Sequence, residues 1–219
     1  MNHQRIYEYR FRNISDKRKA AVWRNVATHI KTFMPGAEKI LDPCAGRCEF
    51  VNHVKAPEVW AVDREQEFVR IARPGVKTIA GDIFDIQLPE AYFDGIFVSN
   101  FLEHLDNAEQ AARFLRKMHA AISPGGRLVI MGPNFKHCAG NYFDCSDHKL
   151  ILSHPAVEEL LYSENFALLK SHPRYLPYSF QSRLPVFSIL VKLYLKFPPV
   201  WRLFGKQFLI VAEKPVGGA

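Results

Sequence analysis

Three aspartates close apolar runs in this chain: Lys39-Ile-Leu-Asp42, Glu58-Val-Trp-Ala-Val-Asp63 and Val76-Lys-Thr-Ile-Ala-Gly-Asp82. Asp42 leads directly into a turn of mostly small residues, Pro43-Cys-Ala-Gly-Arg-Cys48, and Asp63 follows Asp42 by 21 residues. A carboxylate accepts two hydrogen bonds side by side, so an acid about 20 residues past such a loop suits the paired hydroxyls of a ribose. Ala45 and Gly46 let the backbone approach a ligand, and a helix-forming segment behind the loop offers free N–H groups. The chemistry implied is the grip on a nucleoside-bearing molecule. A nicotinamide dinucleotide site would show G-x-G-x-x-G at this turn, and the sequence does not have it.

For the acids to converge, their apolar runs must lie side by side. Residues 38–43, 58–63, 76–81 and 93–99 read as strands, with helices expected at 47–55 and 65–72. A helix over about 107–122 carries Ala108, Ala112, Leu115, Met118 and Ile122 on one face. Ser123-Pro-Gly-Gly126 stops it, and Arg127–Met131 is the fifth strand. Upstream, Ser15 is placed to cap a helix over 15–34 that carries Val22, Val26, Ile30 and Phe33 at helical spacing. Downstream, a helix at 154–163, a strand at 165–170, an apolar helix at about 185–196 and a late strand at 207–213 are expected. Alternating strands and helices imply parallel pairing with right-handed crossovers, an α/β doubly wound fold.

The loop pattern, acid-x-Cys-x-Gly-x-Cys from Asp42 to Cys48, resembles the acid-x-Gly-x-Gly-x-Gly loop of class I S-adenosylmethionine-dependent methyltransferases. Cys44 and Cys48 stand where that family has glycine. The run Phe93-Asp-Gly-Ile-Phe-Val-Ser-Asn100, continuing into Phe101-Leu-Glu-His-Leu105, is similar to the type 11 subfamily. The resemblance implies a Rossmann-like, mostly parallel seven-stranded sheet with an antiparallel late strand and a small C-terminal cap. One domain over 1–219 would divide into an N-terminal helical region (1–37), a cofactor core (38–133), an acceptor-side cap (134–206) and a final strand (207–213). S-adenosylmethionine would be the cofactor. Asp63, with Arg64 beside it, would meet the ribose, and Asp82 and Ile83 the adenine. Asp42 would lie close to the amino-acid end, Ala45 and Gly46 would touch the cofactor through backbone, and Asn100 would be a further cofactor contact. The implied reaction is methyl transfer to oxygen, or nitrogen, of a small molecule or a glycan. Two alternatives stay open: a degenerate, non-catalytic binding protein that lost its cofactor through Cys44 and Cys48, and an RNA-directed methyltransferase. Wherever the family's glycine has positive φ, a cysteine costs about 1 kcal/mol or more.

Acceptor chemistry is expected after the fifth strand. Asn134 can orient an acceptor, Tyr142 can stack on it, and His148, beside Asp147, is the natural general base with an ordinary pKa near 6.5. The chain has nine histidines, most of which must be structural, and His104 is expected to order its loop. Cys44, Cys48, His137, Cys138, Cys145 and His148 are zinc-ligand types, but their spacing matches no zinc pattern, and no metal is expected.

At 219 residues and 48% hydrophobic content, the chain suits one domain with a sizeable interior. Four cysteines do not make a disulfide framework, the N-terminal residues show no signal-peptide pattern, and a cytoplasmic protein is expected. Charge is uneven. Between Glu164 and Glu213 there is no acid, but Lys170, Arg174, Arg183, Lys192, Lys196, Arg202 and Lys206 are present, matching the formal net charge of +7. Tyr175, Tyr178, Phe180, Phe187, Tyr194, Phe197 and Trp201 interleave with them. Such a segment suits an anionic acceptor or an anionic membrane surface, or is an ordinary solvated face. Parts of it, Arg174–Pro185 and Trp201–Phe208, resemble bacterial methyltransferases of polysaccharide and glycolipid assembly. Base-amine methyltransferases carry an Asn/Asp-Pro-Pro-aromatic run after the fourth strand; here Ser99-Asn-Phe-Leu-Glu103 stands there, which disfavours a base-amine enzyme and makes nucleic acid an unexpected partner, while RNA ribose or other chemistry stays open. Oligomeric state is not readable.

Overall fold

The computed structural model describes residues 3–12, 14–178 and 188–217. Phe180, Arg183 and Phe187 of the acid-free segment lie outside the described residues. Seven strands form one sheet: β1 (Lys39–Asp42), β2 (Glu58–Asp63), β3 (Val76–Ala80), β4 (Phe93–Ser99), β5 (Ile122–Pro133), β6 (Ala167–His172) and β7 (Gln207–Glu213), in the order β3-β2-β1-β4-β5-β7-β6. The first five pair in parallel, and β7 runs antiparallel to both β5 and β6. This is the doubly wound Rossmann-like sheet expected, with a second antiparallel pair at the β6 edge.

Both faces are buried, and successive residues divide between them. Ile40, Phe97, Val129, Met131, Leu209 and Val211 face one core with α2 (Asp16–Lys31). Leu41, Ile96, Val98, Leu128, Ile130 and Ile210 face the other with α4 (Ala108–Ala121) and α6 (His154–Ser163). Period-two alternation between two apolar layers is what a sheet covered on both sides requires. Ser15 caps α2 by accepting from the Arg18 N–H, and Asn107 caps α4 by accepting from Gln110.

Several elements differ from expectation. The segment after β1 forms only a run of turns, with scattered helical bonds such as Asn52 N–H to the Cys48 carbonyl (3.0 Å). The second expected helix shortens to α3 (Phe68–Ile71). Ser123-Pro-Gly-Gly126 does not separate α4 from β5: β5 begins at Ile122 and carries the register shift opposite Phe93 and Gly95. Within 134–206, α6 and β6 belong to the helix and sheet layers of the core. The covering elements are α5 (Phe135–Tyr142), α7 (Ser188–Lys196), α8 (Pro198–Phe204) and an N-terminal helix, α1 (His3–Phe11).

Candidate active site

Strand order reverses between β1 and β4, and in doubly wound sheets the crevice at that switch point is where ligands bind. A cavity of about 1290 Å³ opens there, with Asp42 from β1 and Ser99 and Asn100 from β4 in its wall. The loop after β1 contributes Cys44, Ala45, Gly46, Arg47 and Glu49. Gly46 has φ +52°, and a Cβ added there would meet nothing within 4 Å, so its backbone is bare toward a ligand. Its N–H donates to Asp63 Oδ2 (2.7 Å), and the Glu65 N–H donates to Asp63 Oδ1 (2.9 Å). Asp63 thereby fixes loop and strand end together while each oxygen keeps a second lone pair. Burial holds its pKa above the ordinary carboxylate value, against the pull of those two N–H groups.

Asp42 is buried at the floor, with its Oδ1 accepting from the Cys44 N–H (3.2 Å). Burial pushes its pKa to about 8, and the charges of Asp63 and Glu49 add to that against the Cys44 N–H. Asp82 follows β3 by two residues, is exposed, and accepts from its own Phe84 N–H (2.9 Å); Ile83 beside it is buried. Arg64 is exposed. Asp63, Arg64, Asp82 and Ile83 lie outside the cavity wall, on the shelf formed by the ends of β2 and β3.

The two cysteines part company. Cys48 has φ +61°, fully buried, with Sγ 3.6 Å from the Phe68 carbonyl oxygen, so it plugs the core beneath the loop at a backbone angle that suits glycine. Cys44 keeps negative φ. Asn100 also has positive φ, +49°, which asparagine tolerates, and its N–H donates to the Met131 carbonyl (2.8 Å).

Two of the three expected acceptor-side residues do not reach the cavity. Asn134 is fully buried: its Nδ2 bonds His154 Nδ1 (2.9 Å) and the Pro173 carbonyl (2.8 Å). Tyr142 is equally buried and donates to the Leu150 carbonyl (2.5 Å). Both polar side chains are spent on joining the end of β5 to the residues that follow it. His148 does line the cavity. Its pairing with Asp147 is not found: the Asp147 carboxylate takes the Arg10 guanidinium and lies 3.6 Å from His104 Nδ1. His148 instead packs edge-on to His104 and Tyr142, its Nδ1 buried without a hydrogen bond among the described residues. Burial and the charge of His104 lower its pKa to about 4, against the Asp147 carboxylate.

Sequence reading missed Glu103, Arg10 and Tyr7. Glu103 follows β4, is buried, lines the cavity, and has its carboxyl pushed upward by burial. It stands in the Glu-His-Leu run read from sequence, where only His104 was weighed. Tyr7 donates to Glu49 Oε1 and Arg10 grips Asp147, so α1 is tied across the cavity from the β1 loop to the loop after α5. No apolar period marks α1 in the sequence.

Donor atoms of Glu103, His104 and His148 lie within 4.8 Å of one another, as do those of Cys145, Asp147 and His148. Cys48 does not join them. The guanidinium on Asp147 sets a fixed cation against the second group.

Residues 41–130 match the family model of a methyltransferase domain, type 11. The match spans less than half of the chain and is a likeness of these residues to that domain. A demethylmenaquinone methyltransferase of Lysinibacillus sphaericus is 24% identical over 120 residues, and the match spans 50% of this chain and 50% of that relative. A S-adenosylmethionine-dependent methyltransferase from Archaeoglobus fulgidus superposes with TM-score 0.70 at 19% identity, over 97% of this chain and 100% of that one. Another, from Mesorhizobium loti, gives 0.60 at 18%, over 84% and 95%. The likeness to both is in the fold. The site fits S-adenosylmethionine, the cofactor that such a domain implies: a bare glycine backbone, an acid at the end of β2 with lone pairs to spare, and a desolvated carboxyl on the floor.

Proposed function

We propose that this protein moves the methyl group of S-adenosylmethionine to an oxygen of a small-molecule or glycan acceptor, with a lipid-linked glycan the reading favoured by its basic, aromatic C-terminal third. The observation that carries it is the row of Asp42, Asp63 and Asp82 at adjacent strand ends, with Gly46 bonded to Asp63 between them. Asp63, joined by Arg64, holds the ribose; Asp82 and Ile83 hold the adenine; Asp42, Ala45, Gly46 and Asn100 line the methionine end. The bound cofactor supplies an electrophilic methyl on sulfur, and the protein has to align the acceptor and take its proton.

The cavity offers two groups for the proton. His148 lines the cavity, but its unpaired Nδ1 is buried and it is a weak base, with a pKa of about 4. Glu103, which lines the cavity and whose carboxyl is pushed upward by burial, is the base we favour. Titration calorimetry with S-adenosylmethionine on the wild type and Asp63→Ala is the first test. The variant is expected to bind at least about tenfold more weakly, as a charge-assisted bond is worth roughly 1.5–3 kcal/mol. Micromolar wild-type binding retires the degenerate alternative; no binding refutes the proposal. Glu103→Gln should then lower turnover by about 10²-fold and flatten its pH profile, while His148→Ala leaves that profile in place.

A further inference from the structure

The pair α7 and α8 presents more apolar side chain to solvent than a covered helix pair should. Ile189, Leu190, Leu193, Phe197, Leu203 and Phe204 are exposed by 52–74% of their surface. On α7 the spacing is informative. Val191, Tyr194 and Leu195 turn inward, with Leu195 buried beside α2, so the inner face already has its partner. Ile189, Leu190 and Leu193 stand on the opposite side, where polar residues belong. Lys192 and Lys196 lie one turn apart along the edge of that outer strip, and Arg202 follows on α8. None of these three cations has an ion-pair partner among the described residues. The chain from Asn165 to Ala212 has no acid.

Apolar side chains at the centre of a face and unopposed cations at its edge form the pattern of a helix that lies in the plane of an anionic bilayer. No helix of the described residues is long and apolar enough to cross a membrane. The patch also runs into the site. Phe204 belongs both to the exposed strip and to the wall of the cavity, and Lys206 and Tyr178 line the cavity beside it. We infer that α7 and α8 dock this protein on an anionic lipid surface, with the cavity mouth turned to the headgroup layer from which its acceptor enters. This rests on the methyl-transfer reading for the identity of the site, but the docking is measurable without it.

The test is co-flotation of the full chain with vesicles of phosphatidylglycerol and phosphatidylcholine, against vesicles of phosphatidylcholine alone, at low salt and at 0.5 M salt. Leu193→Glu and the pair Lys192→Glu, Lys196→Glu are compared, and calorimetry with S-adenosylmethionine is run on each protein. Binding to the anionic vesicles should fade with salt, and each lysine near the surface should be worth roughly fivefold in partitioning. Leu193→Glu should abolish flotation while cofactor affinity stays unchanged, which also shows that the variant is folded. A wild type that binds cofactor but does not float overturns the docking and leaves the methyl-transfer reading standing. A wild type that floats but binds no cofactor does the reverse. Leu193→Glu floating like the wild type, or merely splitting a dimer seen by sedimentation with no vesicle binding, also overturns it, the second by assigning the face to another copy of the chain.

Discussion

Replacing Asp42 by asparagine should make the ligand-free protein more stable, and increasingly so as the pH rises. The carboxyl titrates at about 8 in the fold, because burial and the nearby Asp63 and Glu49 oppose its charge. In the unfolded chain it titrates near 3.9. Between about pH 4 and pH 8 the native state therefore holds a proton that the unfolded state has released, so rising pH favours unfolding across that window. Each pH unit counts for about 1.4 kcal/mol, which sets a ceiling of about 4 kcal/mol at pH 7. Water reaching the carboxyl through the cavity reduces this to roughly 2–3 kcal/mol, or about 6 °C in Tm for a chain of this length. Asparagine keeps an oxygen for the Cys44 N–H and has nothing to titrate. Urea unfolding of both proteins at pH 4, 5, 6, 7 and 8 reads the difference directly. The gap should open from near zero at pH 4 to its largest value near pH 8. An equal gap at every pH, or a variant less stable at pH 8, would refute the claim that this carboxyl is held protonated.

Cys48 gives a second check on strain. Ala and Gly both remove the buried sulfur, but only Gly relaxes the positive φ, so Cys48→Gly should exceed Cys48→Ala in stability by about 0.5–1 kcal/mol in urea unfolding, the reverse of the usual order. Gly205→Ala should cost about 3 kcal/mol or more by the same measurement, because its Cβ would lie 2.6 Å from the Trp201 carbonyl oxygen and 2.8 Å from the Tyr175 nitrogen, backbone atoms that cannot swing aside; a loss under about 1 kcal/mol would mean that α8 shifts freely.

The sheet was legible because its signals are local. Apolar runs ending in acids give β1 and β2, and the 21-residue interval places Asp63 at the next strand end. Amphipathic spacing with a capping residue gives α2 and α4. The segment after β1 misled, since its helical residue types are bent around Cys48 and Gly46, two positive-φ positions that composition does not reveal. Asn134, Tyr142 and His148 were placed by proximity to β5, and sequence distance says nothing about which way a side chain turns. Two of them turn inward, where the chain after β5 needs hydrogen bonds. Glu103 and Arg10 are the converse. Arg10 acts on Asp147, 137 positions away, and Glu103 through the cavity that it lines, neither of which a local pattern records.

Strand β7 comes last in the chain yet lies between β5 and β6. Its seven residues pair with Arg127–Pro133 on one side and with Ala167–His172 on the other. During synthesis, therefore, β6 has no sheet neighbour until residues 207–213 leave the ribosome, and β5 waits with an open edge for some 75 residues. At roughly 5–20 residues per second that interval lasts several seconds, longer than strand pairing itself requires. The cofactor half can form early, but the sheet closes only when the final strand slides into the gap. A nascent chain stalled before Gln207 would carry two bare strand edges, a substrate for chaperones and proteases rather than a partly working enzyme.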